Sequence, residues 1–313
     1  MAEIVLTLVG GLALFLYAVL NLSETVKEWA GIRARDLIAR FTKNVFSAIV
    51  VGIVATIILD SSTAVIILTI VLVNASVLTF RRSIGIVMGA NVGTTVSSQI
   101  IALDVSQYSP VFLIAGLVLI FVSAKTNRVG KILFFFGMLF FGLLTMERAV
   151  EPLRDSPRFL EWMNHLENPL LGAAIGAFVT VVVQSSSATV AMVLTLAKES
   201  LITLPAGIAV MLGAELGTCA DTLLATVRSS RQALKTGLFH LIFNLTTIIL
   251  GLAFFGLFVN LVTSVSGAAE IKTQIANAHV LFNVLGVLLF VGFVPLFEKM
   301  LNKLLPETDA SAV

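Results

Sequence analysis

In a chain of 313 residues, 58% are hydrophobic, 12% are charged and the net charge is +2, against roughly 45–50% hydrophobic and 25% charged in soluble domains. Its 20 Lys and Arg and 18 Asp and Glu are too few to coat a water-facing surface, and apolar runs long enough to cross a bilayer recur throughout, which excludes a soluble fold. The period-two alternation of a membrane barrel is missing, and so small a charge gives no sign of a nucleic-acid partner.

Taken in chain order, Ile4–Leu20 has neither a basic lead nor a small-residue cleavage pattern, so a retained span over Ile4–Leu22 is expected. In Glu24–Lys43, Val26, Ala30, Leu37 and Phe41 share one helical face while Glu28, Arg35, Asp36 and Lys43 lie opposite, which predicts an interfacial amphipathic helix. Asn44–Val73 is too long for one span and too short for two, with Asp60-Ser61-Ser62 in its middle; a re-entrant hairpin fits. Ile84–Asp104 reads as one span whose Gly89, Gly93 and adjacent threonines favour an unwound centre. Spans are expected next at Val111–Ala124 and Ile132–Met146. Pro152–Glu167, with Trp162 and alternating charges, resembles Glu24–Lys43 and is followed by a hairpin over 168–197. An interrupted span at 208–227 and spans near Thr236–Val262 and Ala276–Leu296 complete the chain. Its single cysteine, Cys219, excludes an internal disulfide framework and has no metal-ligand spacing.

Sliding the chain by 124 residues aligns Asn44–Thr95 with Asn168–Cys219, with about 14 identities in roughly 52 positions. Asp60-Ser61-Ser62-Thr63-Ala64 falls on Gln184-Ser185-Ser186-Ser187-Ala188, and Gly89–Thr94 falls on Gly213–Thr218. The fold expected is an all-α polytopic membrane protein of two repeats, 1–130 and 131–313, each with a re-entrant hairpin and an interrupted transmembrane helix. Seven crossings put about 15 Lys and Arg on one side and about 5 on the other, so the N-terminus is expected outside and the C-terminus in the cytoplasm. Counting each hairpin as a crossing weakens that split to about 13 against 7. Three crossings between the units invert the second, a construction that places a transport site between repeats near the midplane.

The polar clusters carry the chemistry. Hydroxyl and carbonyl oxygens at Asp60–Thr63 and Gln184–Ser187 are the hard ligands an alkali cation needs, and helix N-termini after Ser62 and Ser186 favour phosphate or carboxylate without a buried Lys or Arg. A lone Ser pair in an apolar span merely helps helices pack, but recurrence in both units argues for function. GANVGTT (Gly89–Thr95) and GAELGTC (Gly213–Cys219) are read as unwound ion-binding centres; the alternative is that their glycines permit close helix approach. Intramembrane carboxylates are costly enough to be functional candidates. One cation half-site per repeat follows, Asp60 with Asn91 and Gln184 with Glu215, so Asp60→Asn and Glu215→Gln are each expected to lower cation dependence. Asp221 is secondary. His240-x-x-Phe243-Asn244 and His279-x-x-Phe282-Asn283 place His and Asn on one helix face, for scaffold bonding or a proton relay.

QSSSATV, GANVGTT, GAELGT and the two H-x-x-F-N segments resemble the sodium-dependent phosphate cotransporter family, the type II kind and its bacterial relatives, over nearly the whole chain. The resemblance implies a symporter in the cytoplasmic membrane coupling sodium to inorganic phosphate by alternating access, with sodium ions as the only metal, no other cofactor, and a homodimer among its assemblies. It assigns substrate contacts to Ser61, Ser62, Thr63, Gln184, Ser185, Ser186 and Ser187; the sodium set reads Asp60, Asn91, Thr94, Thr95, Gln184, Glu215 and Thr218. The family usually has Gln at Asp60 and often Asn at Glu215, so this chain carries extra negative charge, which bears on stoichiometry and on proton participation. Alternatives are a sodium- or proton-coupled transporter of another small oxyanion or dicarboxylate, a passive channel, and an intramembrane hydrolase pairing a serine with His240 or His279. No G-x-S-x-G turn supports the last, and no enzyme is expected.

Overall fold

The computed structural model describes residues 2–306 apart from Asp104 and Arg228, with the backbone alone at 27, 29–35, 37 and 39. In chain order the helices are α1 (Ala2–Phe41), α2 (Val45–Leu59), α3 (Ser62–Asn74), α4 (Phe80–Ala102), α5 (Ser109–Val122), α6 (Asn127–Val150), α7 (Pro157–Asn164), α8 (Pro169–Val183), α9 (Ser186–Lys198) and α10 (Leu204–Gly217). They continue with α11 (Cys219–Leu224), α12 (Arg231–Ala253), α13 (Phe255–Ser266), α14 (Ile271–Val291) and α15 (Val294–Leu304). Among the described residues six stretches are long and apolar enough to cross a membrane: the start of α1, α4, α6, α10 with α11, α12, and α14. The chain is a multi-pass helical membrane protein.

The helices α2 and α8 have 15 residues each, α3 and α9 13 each. At 1.5 Å per residue the longer pair reaches roughly 22 Å, short of a hydrocarbon core about 30 Å thick. Each pair breaks at the polar cluster. Asp60 (φ 48°) and Gln184 (φ 57°) are left-handed C-caps, a conformation that ends a helix. The next residue, Ser61 or Ser185, is extended, and its hydroxyl accepts from the backbone N–H of Ala64 or Ala188 at 3.1 Å. The Ser23 hydroxyl of α1 donates to the Leu59 carbonyl at 2.8 Å, capping a group that the break leaves free.

Glycines set how closely the long helices approach the hairpins. A Cβ at Gly89 would lie 2.0 Å from the Ile49 carbonyl oxygen, and one at its repeat partner Gly213 would lie 1.8 Å from that of Ala173. Gly52 against Ile86 and Gly176 against Val210 repeat the contact from the other side. Hence α2 lies along α4 and α8 along α10.

Five expectations are corrected. The unwound centre is not seen at Gly89–Thr95, where α4 is continuous; in the second unit the expected interruption is present, a break at Thr218 inside Gly213–Cys219. The glycines there serve packing, and their i, i+4 spacing places them on one face. The interfacial helix expected at Glu24–Lys43 is not separate, because nothing between Leu22 and Glu24 breaks the backbone and α1 runs on to Phe41. The side chains of Ala30, Arg35 and Leu37 lie outside the described residues. Its counterpart Pro152–Glu167 is a chain of short turns around α7, set at 102° to α8. Thr236–Val262 is two helices broken at Phe254, and Ala276–Leu296 ends one helix and begins another at Gly292-Phe293.

Candidate functional site

The breaks at Asp60 and Gln184 belong to different repeats, and one hollow is lined by Asp60 and by Ser187, three residues past the second break; Ser61, Ser62, Thr63, Gln184, Ser185 and Ser186 are not among its walls. A cavity of about 250 Å³ is lined by Asp60, Ser97 and Ser187, with Phe15, Ile101 and Phe136 among its apolar walls. Asp60 Oδ1 accepts from the Ser97 hydroxyl at 2.5 Å. Ser62 and Ser186, the first residues of α3 and α9, are buried. Four N–H groups at each helix start lack helical partners; the capping serine satisfies one, and the others face the bend. The site therefore offers a carboxylate, hydroxyls and positive helix ends in an otherwise apolar surround. Such a set holds a cation beside an oxyanion.

Other expected site residues lie elsewhere. Asn91 Nδ2 donates to Asn244 Oδ1 at 2.6 Å, and Asn244 Nδ2 donates to the Glu215 carbonyl at 2.9 Å. The hydroxyls of Thr94, Thr95 and Thr218 donate back to carbonyls of their own helices. Glu215 is 4% exposed and does not line the cavity; its Oε1 accepts from His279 Nε2 at 2.7 Å. His279 Nδ1 lies 2.7 Å from Ser98 Oγ, so α14 ties α4 to α10.

The other histidine repeats this arrangement. His240 Nδ1 lies 2.8 Å from Thr222 Oγ1, and Thr222 stands at the repeat position of Ser98. Each His-x-x-Phe-Asn segment thus ties a long helix of one unit to that of the other, the scaffold role weighed from sequence. Ser98, His279 and Glu215 have the residue types of a hydrolytic triad. Ser98, however, is 1% exposed inside α4, so no substrate carbonyl reaches it. His279→Ala is expected to leave Glu215 buried and unpaired, at a cost of about 3–5 kcal/mol. A fall in the thermal midpoint in detergent, largely relieved by adding Glu215→Gln, checks this.

Sequence reasoning missed Ser97 and Ser98. Their signal was a hydroxyl pair in α4 falling on Asp221-Thr222 in the second unit. Asp221 itself is half-buried. By sequence position the acid changes place between the units: Asp60 at the bend and Ser97 on the helix in one, Gln184 at the bend and Asp221 on the helix in the other.

A family described as Na+/Pi-cotransporter matches residues 14–148 and 155–292. The chain belongs to that family. Among its relatives, YqeW of Bacillus subtilis is 29% identical over 94% of the chain and 96% of its own length. YjbB of Salmonella typhimurium, a protein named for inorganic phosphate export, is 26% identical over 97% of the chain, which spans 57% of YjbB. The human protein named sodium-dependent phosphate transport protein 2B is 32% identical over 29% of the chain and 14% of its own length. No solved structure matches. Each of the two matched segments contains one of the bends, Asp60 in the first and Gln184 in the second.

Proposed function

We propose that this chain is a sodium-coupled symporter of inorganic phosphate that works by alternating access, with its site where the two bends meet. One observation carries the reading: Asp60 from the first repeat and Ser187 from the second line a single cavity. Sodium sits at Asp60, helped by hydroxyl oxygens whose lone pairs remain available even where their protons are engaged. Phosphate takes the helix starts after Ser61 and Ser185, with Ser62, Thr63, Ser186, Ser187 and Gln184 around it. The hairpins are re-entrant and the units 1–130 and 131–313 are inverted, as the charge split supports, with the N-terminus outside the cytoplasmic membrane. Glu215 acts through His279, fixing the interface between units instead of holding a second cation.

The test is labelled phosphate flux in proteoliposomes with and without a sodium gradient, at two pH values. Accumulation above equilibrium only with the gradient is expected. Flux that ignores sodium, or that never exceeds equilibrium, removes the reading in favour of a channel. Reversing the gradient reports whether the protein runs as readily in the export sense named for YjbB. Competition by sulfate, arsenate and succinate separates phosphate from other small anions.

A further inference from the structure

A second group of ionisable side chains lies away from the bends. Lys198 Nζ donates to Glu147 Oε2 at 2.7 Å and to Ser106 Oγ at 3.2 Å, and Ser106 Oγ lies 3.3 Å from both Glu147 oxygens. Lys198 ends α9, Glu147 belongs to the last turns of α6, and Ser106 precedes α5. Two further ion pairs stand beside them: Arg154 with Glu199 at 2.7 Å and Lys272 with Glu270 at 3.2 Å. A partly buried pair is no large source of stability by itself, since desolvation offsets attraction, so its place in the molecule needs another reason.

Three hollows adjoin these residues, each sharing wall residues with the next. An open one of about 470 Å³ is lined by Arg154, Lys198, Glu199 and Lys272. It shares Lys198 and Lys272 with a constriction of about 10 Å³, room for roughly one water. That constriction shares Ile101 with the cavity of Asp60 and Ser187. A path from the open hollow to the bends through these shared walls would pass the Glu147–Lys198 pair, which lines the constriction.

At the crossing an ammonium and a hydroxyl converge, the donor types that a tetrahedral oxyanion takes, and the Glu147 carboxylate occupies them. An oxyanion arriving from the open hollow offers Lys198 the same sign of charge and more acceptor oxygens. Exchange of one for the other keeps the lysine paired throughout. We propose that Glu147, Lys198 and Ser106 form a gated anion subsite, in which the Glu147 carboxylate is a latch that a passing oxyanion displaces from Lys198. The class of anion rests on the transport reading above; the latch does not.

The test uses the full chain in proteoliposomes with Ile101→Cys as a reporter in the constriction; the native Cys219 is buried and serves as an internal blank. Labelling rates are compared for two membrane-impermeant thiosulfonates of similar size, one anionic and one cationic. Adding Glu147→Gln is expected to speed the anionic reagent about tenfold, the effect of roughly 1.4 kcal/mol of lost latching, and the cationic one far less. Lys198→Gln is expected to reverse the preference between reagents. Exchanging the charges, Glu147→Lys with Lys198→Glu, is expected to restore slow labelling and shows that the fold survives. Rates that match the parent's for both reagents overturn the proposal, and so does an acceleration blind to the reagent's charge. Inorganic phosphate added to the Glu147→Gln protein is expected to slow the anionic reagent. Slowing by sulfate or succinate alone keeps the latch and overturns phosphate as the cargo.

Discussion

Asp60→Asn is expected to lower sodium-driven phosphate uptake roughly a hundredfold at limiting sodium, which corresponds to about 2.7 kcal/mol of cation binding. The substitution keeps the size of the side chain and an oxygen that can accept from Ser97 Oγ, so the bend is retained and the charge alone is removed. A unit charge about 4 Å from a cation is worth about 4 kcal/mol at an effective dielectric of 20, of which returning water recovers part. The measurement is the sodium dependence of initial uptake rates in proteoliposomes. Asp60→Asn should move the half-saturating sodium concentration upward while saturating sodium restores much of the rate. Ser97→Ala, which leaves the carboxylate but loses its hydrogen bond from Ser97, should shift the same curve by a smaller factor. An Asp60→Asn curve that overlays the wild-type one would place the coupling cation elsewhere.

The bends were legible in the sequence because they violate a local rule. Lipid-depth backbone tolerates no free N–H or C=O groups, so polar residues interrupting apolar runs at Asp60–Thr63 and Gln184–Ser187 had to mark places where a helix stops. The glycines were harder to read. Gly freed from a Cβ supports unwinding and close packing equally, and only its spacing discriminates: Gly85, Gly89 and Gly93 recur every fourth residue, a stripe for a neighbouring helix. The continuity of α1 was hidden by a switch from apolar to amphipathic composition, which changes what the helix faces without breaking it. Pairings such as Glu215 with His279 and Glu147 with Lys198 join residues far apart in the chain, and no local pattern announces them. Recurrence was the strongest signal available: it carries the cavity and the doubled His-x-x-Phe-Asn tie, whereas Glu147 and Lys198 have no copy to reveal them.

Gly213→Ala separates the two uses of glycine by the sign of its effect. An unwound centre would be firmed by alanine, the better helix former, raising the thermal midpoint. In a packing stripe the added methyl would stand 1.8 Å from the Ala173 carbonyl oxygen, with the Ala173 carbonyl carbon and Cα at 2.6 and 2.7 Å. All three are backbone atoms, so no rotamer change relieves the clash, and α8 must move off α10. Overpacking of that kind costs about 3 kcal/mol. The midpoint in detergent should fall by roughly 6 °C. The displacement also draws the bend at Gln184 away from Asp60, since α8 carries that bend at its end, so uptake should fall further than stability alone accounts for. Gly256→Ala is the control: nothing lies within 4 Å of its added carbon, and in α13 the substitution should hold or raise the midpoint. A Gly213→Ala protein that melts no lower than Gly256→Ala would return the GAELGTC segment to the unwinding reading and leave the α8–α10 contact without its physical basis.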